Sequence, residues 1–192
     1  MTGMPFDEAH EVLDSWFGAP GSVHCGRPRS AWFRKSDEFD ALIRRRFQHL
    51  HERAAAGRLA PWRDSPLTLL ALIVVLDQFP RNMFRDSRRA FETDAMALDG
   101  ARRMIALNWD ERLSSVERQF CYPPFEHAED LWAQRTCLHC FGELGQADLL
   151  EWAQKHYDIV ERFGRFPHRN AVLGRESTPD EIEFLKQPGS RF

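Results

Sequence analysis

The sequence has no apolar run long enough to cross a bilayer, which excludes a membrane-spanning helix and a membrane partner. Its longest apolar stretch, residues 67–76, is well short of the roughly 18 residues that a span needs. The N-terminal residues include acidic side chains but no basic cluster, so we expect no secretory signal and a cytoplasmic location. The formal net charge of −3 does not favour a nucleic-acid partner.

Lysine is scarce, because only Lys35, Lys155 and Lys186 accompany 23 arginines among the 26 basic residues. Arginine binds carboxylates and phosphates with a fixed fork of donors, which favours a protein that binds anions. Codon bias in a GC-rich genome explains the same excess without any function. The four cysteines are expected to be reduced thiols, since no export signal is present.

Helical periodicity runs through nearly the whole chain and predicts an all-α fold. A chain of 192 residues can bury about 70% of its unfolded surface, so neither disulfides nor a structural metal is needed. We predict a single domain over residues 1–192, built from antiparallel helix pairs joined by short connections. The apolar residues 67–76 follow a Ser65–Pro66 helix start and predict a central buried helix that Pro80 ends; a buried parallel strand is the weaker interpretation.

The first informative polar segment lies at the end of this buried helix. Asp77 and Gln78 occupy its last turn, where the helix dipole disfavours a carboxylate and burial adds a desolvation cost. Arg81 lies four residues after Asp77 and is the expected partner of its charge, and Asn82 follows directly. The segment is therefore a candidate binding site.

The second segment opens a helix predicted from about residue 126 to residue 144. At 100° per residue, Glu126, His127, Asp130 and Gln134 share the side of this helix that carries its apolar residues. Histidine beside carboxylates is suited to acid–base chemistry near neutral pH. These four residues are therefore candidate ligand-binding residues.

The third segment, residues 165–177, has no helical stripe and is predicted to be a long basic loop. It carries Arg165, His168, Arg169 and Arg175, with Asn170 between them. Loops of this length are often functional. Arg165, His168, Arg169 and Asn170 complete the set of candidate ligand-binding residues.

The three segments LDQFPRNMFR, PFEHAEDL and RFPHRNAVLGREST together resemble the signature stretches of a bacterial family called domain of unknown function 924. The resemblance extends from the WFG at residues 16–18 to the final predicted helix. It implies an all-helical fold similar to tetratricopeptide-repeat arrays. It implies no activity and assigns no catalytic residue.

Two interpretations of the charged segments remain open. In one, Asp77, Arg81, His127, Asp130 and the basic loop form a structural ion-pair network; in the other, they line one shared pocket with the loop as its lid. We predict no metal site, because the Glu-x-x-His element of di-iron bundles is absent and the mid-helix Cys137 is typical of a core residue. The sequence predicts no cofactor.

The leading functional hypothesis is a binding protein whose polar pocket takes a small anionic ligand or an acidic peptide. One alternative is a small hydrolase or lyase in which His127 works with Asp77 or Asp130 as acid–base partners. Another is a structural protein that oligomerises through an exposed apolar patch. The sequence leaves open whether the protein is an enzyme and what its oligomeric state is.

Overall fold

The computed structural model describes residues 5–32 and 34–190, without the side chains of residues 5 and 6. All regular structure in these ranges is helical and none of it is strand, which confirms the predicted all-α class. Within the same ranges, no helix combines the length and the apolar character needed to cross a membrane. The specific tetratricopeptide-like arrangement stays a prediction.

The chain forms two compact units. The first contains the described residues up to Arg85 together with Arg89–Pro124, and the second contains Asp86–Arg88 and the described residues from Phe125 onward. The single domain expected over residues 1–192 likewise stays a prediction.

The central helix of the first unit is buried as predicted. This helix, α3 (Pro66–Ile73), packs against α1 (Pro5–Phe17) and α5 (Asp94–Ala106). The helix α2 (Asp37–Ala55) packs against α4 (Phe79–Met83). Residues 69–76 are all buried, and each fully buried Leu, Ile or Val side chain contributes about 1.5–3 kcal/mol to folding. The α-helices of this unit are α1 (Pro5–Phe17), α2 (Asp37–Ala55), α3 (Pro66–Ile73), α4 (Phe79–Met83), α5 (Asp94–Ala106) and α6 (Ser115–Arg118).

Short polar signals at the helix starts behave as expected. Ser65 caps α3 by accepting a hydrogen bond from the backbone N–H of Thr68 at 3.4 Å, and Pro66 is the first helical residue. Ser36 caps α2 in the same way, accepting from Phe39 at 3.2 Å. These caps fix where each helix enters the core.

The prediction that Pro80 ends the central helix is wrong. A π-helical turn, Val74–Gln78, follows α3 directly and leads into α4, so the helix continues through Pro80 to Met83. Proline lacks the N–H that would reach the carbonyl of Leu76, four residues back, and its ring crowds that carbonyl. The wider π turn accommodates the ring, and the hydroxyl of Thr93 donates to the Leu76 oxygen at 2.6 Å.

The second unit is built on the pair α8 and α9, which pack against each other. Both helices end at glycines in the left-handed conformation, Gly145 and Gly164. The core beside α9 consists of Ile159, Val160 and Phe166. The remaining α-helices are α7 (Pro123–Glu126), α8 (Leu131–Leu144), α9 (Ala147–Phe163), α10 (Asn170–Leu173) and α11 (Pro179–Phe184).

Candidate functional site

Asp77 lies in the π turn and is completely buried. Gln78 donates its side-chain amide to the Asp77 carboxylate at 2.6 Å. Arg81 places one guanidinium nitrogen 3.3 Å from the same carboxylate and 2.7 Å from the Asp77 backbone oxygen. The expected partnership between Asp77 and Arg81 is therefore confirmed.

Arg81 is shared between two carboxylates. It forms a bidentate pair with Asp94, at 2.9 and 3.0 Å, in addition to its contact with Asp77. One cation thus faces two anions in this part of the first unit. Such an arrangement stabilises the π turn and does not favour an added anion at Arg81.

Asn82 belongs to a different buried cluster. Its side-chain amide donates to the carboxylate of Asp40 at 2.8 Å, and Arg85 pairs with the same carboxylate. Burial alone would raise the pKa of Asp40, but the hydrogen bonds from Arg85 and Asn82 lower the pKa below its usual value. Neither Asp40 nor Arg85 was among the residues predicted from the sequence.

The second predicted segment is not one helical face. The chain leaves the helix after Glu126, and α8 begins only at Leu131. Asp130 is the cap of α8, because its carboxylate accepts a hydrogen bond from the backbone N–H of Ala133 at 2.8 Å. The expectation that residues 126–130 continue the long helix is therefore wrong.

Gln134 holds the break between α7 and α8 in place. The side chain is fully buried, and its amide nitrogen donates to the backbone oxygens of Glu126 at 2.6 Å and of Ala128 at 2.8 Å. These carbonyls have no intrahelical donor, because the helix stops there. Gln134 thus supplies the hydrogen bonds that allow the chain to leave the helix.

His156 is a buried histidine that lies beside Glu126. Its Nδ1 lies 2.9 Å from the backbone oxygen of Trp152 and 3.2 Å from the Glu126 carboxylate. Burial, together with the nearby charges of His127, Arg169 and His168, lowers the pKa of His156 to about 3, although the hydrogen bond to the Trp152 oxygen acts to raise it. His156 is therefore neutral at pH 7, with Nδ1 as the donor, as is typical of a hydrogen-bonded core histidine.

Residues 167–173 of the basic segment form two short helical turns, which corrects the prediction of a loop without helix. The segment contains the 3₁₀ turn Pro167–Arg169 and the single turn of α10. Arg165 forms a bidentate pair with Glu181, at 2.6 and 2.8 Å. Hydrogen bonds from Arg165 hold the pKa of Glu181 at about 2, so this pair stays charged.

Glu129 binds the basic segment and was not among the residues predicted from the sequence. Its carboxylate accepts two hydrogen bonds from Arg175, at 2.6 and 2.9 Å, and a third from the backbone N–H of Phe166 at 2.8 Å. Burial would raise the pKa of Glu129, but the hydrogen bonds from Arg175 and Phe166 lower the pKa below its usual value. Arg175 also donates to the side chain of Asn170 at 3.0 Å, which ties the C-terminal part of the segment to its middle.

The Phe166 ring contacts two other basic residues of the segment, His168 and Arg169. The guanidinium carbon of Arg169 lies 4.4 Å from the centre of the Phe166 ring, and the His168 ring lies 5.8 Å from that centre. Arg169 is buried and donates to the backbone oxygen of His127 at 3.0 Å. His127, His168 and Arg169 therefore gather around Phe166 and the neutral His156.

Among the described residues, no group of three or more His, Cys, Asp or Glu side chains is arranged to hold a metal ion. All four cysteines are free thiols, and Cys121, Cys137 and Cys140 are buried. Burial raises the pKa of Cys137 well above its usual value, the opposite of what a reactive thiol needs. The interpretation of Cys137 as a core residue is confirmed.

Comparison with known proteins places the chain in a family. The profile of the family described as bacterial protein of unknown function, DUF924, matches residues 12–189. The chain belongs to the DUF924 family. A solved structure, that of a protein of unknown function from Agrobacterium tumefaciens, shares 37% sequence identity at a TM-score of 0.86, covering 96% of this chain and 100% of that one. No curated protein matches the chain.

Membership in the DUF924 family confirms the resemblance carried by the three segments. The roles of the twelve predicted ligand-binding residues stay predictions, as does the shared pocket of Asp77, His127 and His168.

Proposed function

We propose that the second unit binds a small anion, with a carboxylate or phosphate group, through His127, His168 and Arg169. The gathering of these three basic side chains around Phe166 and His156 carries the proposal. Arginine and histidine are suitable donors for such groups, and the guanidinium of Arg169 lies over the Phe166 ring, 4.4 Å from its centre.

The closeness of three basic side chains supports anion binding at this place. The charges of His127, His168 and Arg169 all act to lower the pKa of His156, which shows that they are close enough to interact. The charge of Glu129 is taken up by two hydrogen bonds from Arg175. Glu126 supplies a carboxylate 3.2 Å from His156, and a bound anion would add a second negative charge beside the three basic groups.

We favour binding over the hydrolase or lyase hypothesis for one reason. Asp130, one of the two carboxylates offered as partner of His127, is exposed and is used as the cap of α8. We also propose a cytoplasmic location, which the four free thiols support.

Thermal denaturation with added anions tests the proposed function. Phosphate, citrate and a short peptide rich in Asp and Glu are the probes, so that a small anion and an acidic peptide are distinguished. Ligand at 100 times its Kd stabilises a protein by about 2.7 kcal/mol, which raises the Tm by several degrees. We expect this shift for at least one probe.

Arg169→Gln and His168→Gln should abolish the ligand-dependent shift, whereas Arg135→Gln, an exposed arginine on α8, should retain it. If Arg169→Gln does not fold, the His127 ring resonances of the unmodified protein provide the readout, since they should move as the probe is added. No shift with any probe, or an undiminished shift in both site variants, would overturn the proposal.

A further inference from the structure

A pocket of about 400 Å³ lies in the second unit between the end of α9 and the start of α11. This volume lies within the range of small-molecule binding sites. Its lining residues are Arg162, Phe163, Arg165, Thr178, Asp180 and Glu181. None of them belongs to the proposed anion site.

Hydrogen bonds join the residues on one side of the pocket, and this side carries no net charge. Glu181 is buried and accepts two hydrogen bonds from Arg165, so their charges compensate each other. The same carboxylate accepts from the backbone N–H of Thr178 at 2.7 Å, and the Thr178 hydroxyl accepts from the backbone N–H of Glu181 at 3.3 Å. This reciprocal capping box fixes the start of α11 against the pocket.

Two further charged side chains line the pocket without a hydrogen-bond or ion-pair partner among the residues that the structure describes. The guanidinium of Arg162 lies over the rings of Phe163 and Phe184, with its carbon 4.6 and 6.0 Å from their centres. In the part of the chain that the structure describes, no acceptor lies within hydrogen-bond distance of Arg162, and no donor lies within that distance of Asp180. Arg162 and Asp180 also do not form an ion pair with each other.

Arg165 adds a donor to the same pocket. Its Nε and one terminal nitrogen bind Glu181 and the backbone oxygen of Glu176. The other terminal nitrogen, Nη1, has no acceptor among the described residues. An anionic group of a ligand therefore has donors from both arginines, while Asp180 offers a carboxylate to a cationic group.

We propose that this pocket binds a zwitterion of the α-amino-acid class with an apolar side chain. The ligand carboxylate binds Arg162 and Nη1 of Arg165, its ammonium binds Asp180, and its side chain packs against Phe163. The pocket has no net charge, but its Arg162 and Asp180 have no ion-pair partner among the described residues. A ligand that carries only a negative charge leaves Asp180 uncompensated, and one that carries only a positive charge leaves Arg162 uncompensated. A zwitterion satisfies both.

Isothermal titration calorimetry with L-phenylalanine and L-leucine tests this proposal on the full chain. The comparison ligands are 3-phenylpropanoate, which lacks the amine, and 2-phenylethylamine, which lacks the carboxylate. We expect binding of an amino acid, with both comparison ligands at least tenfold weaker. Absence of binding by both amino acids, or equal affinity for either comparison ligand, would overturn the proposal.

The variants Arg162→Gln and Asp180→Asn should each weaken amino-acid binding at least tenfold. Both side chains are exposed, so the variants should fold, and an unchanged circular dichroism spectrum verifies this. The matched controls are Arg135→Gln and Asp148→Asn, which change an exposed arginine on α8 and an exposed aspartate in the first turn of α9. Equal affinity in the site variants and the controls would also contradict the proposal.

Discussion

The backbone oxygen of Leu76 shows how single side chains compensate for a proline inside a helix. Pro80 offers it no N–H, and the hydroxyl proton of Thr93 is donated to it at 2.6 Å. A hydroxyl has only one proton, so the Thr93 oxygen accepts from Nε2 of His51, 3.4 Å away. His51 is thereby held in one tautomer, and burial lowers its pKa below the usual value.

Thr93→Val should lower the free energy of unfolding by about 1–3 kcal/mol, because it leaves a buried carbonyl without a donor while keeping the side-chain shape. Urea denaturation monitored by circular dichroism measures the change. The control is Thr136→Val, which removes a hydroxyl that bonds the Trp132 oxygen at an exposed site and should cost less than about 0.5 kcal/mol. Equal losses in the two variants would show that the Thr93 hydroxyl has no special role.

Residues whose partners lie nearby in sequence were predictable, and those with distant partners were not. Arg81 follows Asp77 by one helical turn, so their contact was expected from spacing alone. Arg175 is 46 residues from Glu129, and helical spacing predicts no contact over that distance. Only the packed second unit shows that this carboxylate holds Phe166 and Arg175 together.

At the scale of elements, local capping signals predicted helix ends well, and periodicity failed where the chain breaks. Gly145 and Gly164 mark the C-terminal ends of α8 and α9. The capping box of Thr178 and Glu181 marks the start of α11. The apolar spacing predicted one helix across residues 126–144, although α7 and α8 are separate. The missing donors at the end of α7 come from Gln134, a contact that periodicity does not contain.

Asp130→Ala should destabilise the second unit by about 1 kcal/mol, because α8 loses the oxygen that caps its first turn. Asp130→Asn should cost much less, since asparagine caps a helix nearly as well and removes only the charge. Urea denaturation measures both, with Asp148→Ala in the first turn of α9 as the control. A loss in Asp130→Asn as large as in Asp130→Ala would mean that charge, rather than capping, is what Asp130 contributes.

At the scale of the whole molecule, the formal charge of −3 hides ion pairs that join segments distant in sequence. The basic segment that the sequence presented as an open lid is closed on carboxylates, with Arg165 on Glu181 and Arg175 on Glu129. This pairing supports the structural-network interpretation for those two arginines. His168 and Arg169, which contact the Phe166 ring instead, are the members of the segment that the proposed anion site uses.

The pH dependence of stability follows from the pKa of His156. The pKa is about 3 in the folded protein and about 6.5 in the unfolded chain, so below pH 6.5 only the unfolded state binds the proton. Above pH 6.5, His156 therefore does not reduce the free energy of unfolding. As the pH falls from 6.5 towards 3, the free energy of unfolding decreases by up to about 1.4 kcal/mol per pH unit because of His156. Glu181, whose pKa of about 2 is also depressed, adds a further loss below about pH 4.5.

His156→Gln should flatten the decline in the free energy of unfolding between pH 6.5 and 4.5, because glutamine keeps a polar side chain without a titrating ring. The slope is compared rather than the absolute stability, since the substitution also changes packing at every pH. Urea denaturation across this pH range gives the slope, and His139→Gln, an exposed histidine on α8, should keep that of the unmodified protein. If His156→Gln and His139→Gln have the same slope, the buried imidazole of His156 is protonated in the folded state, and Glu126 at 3.2 Å is then its counter-ion.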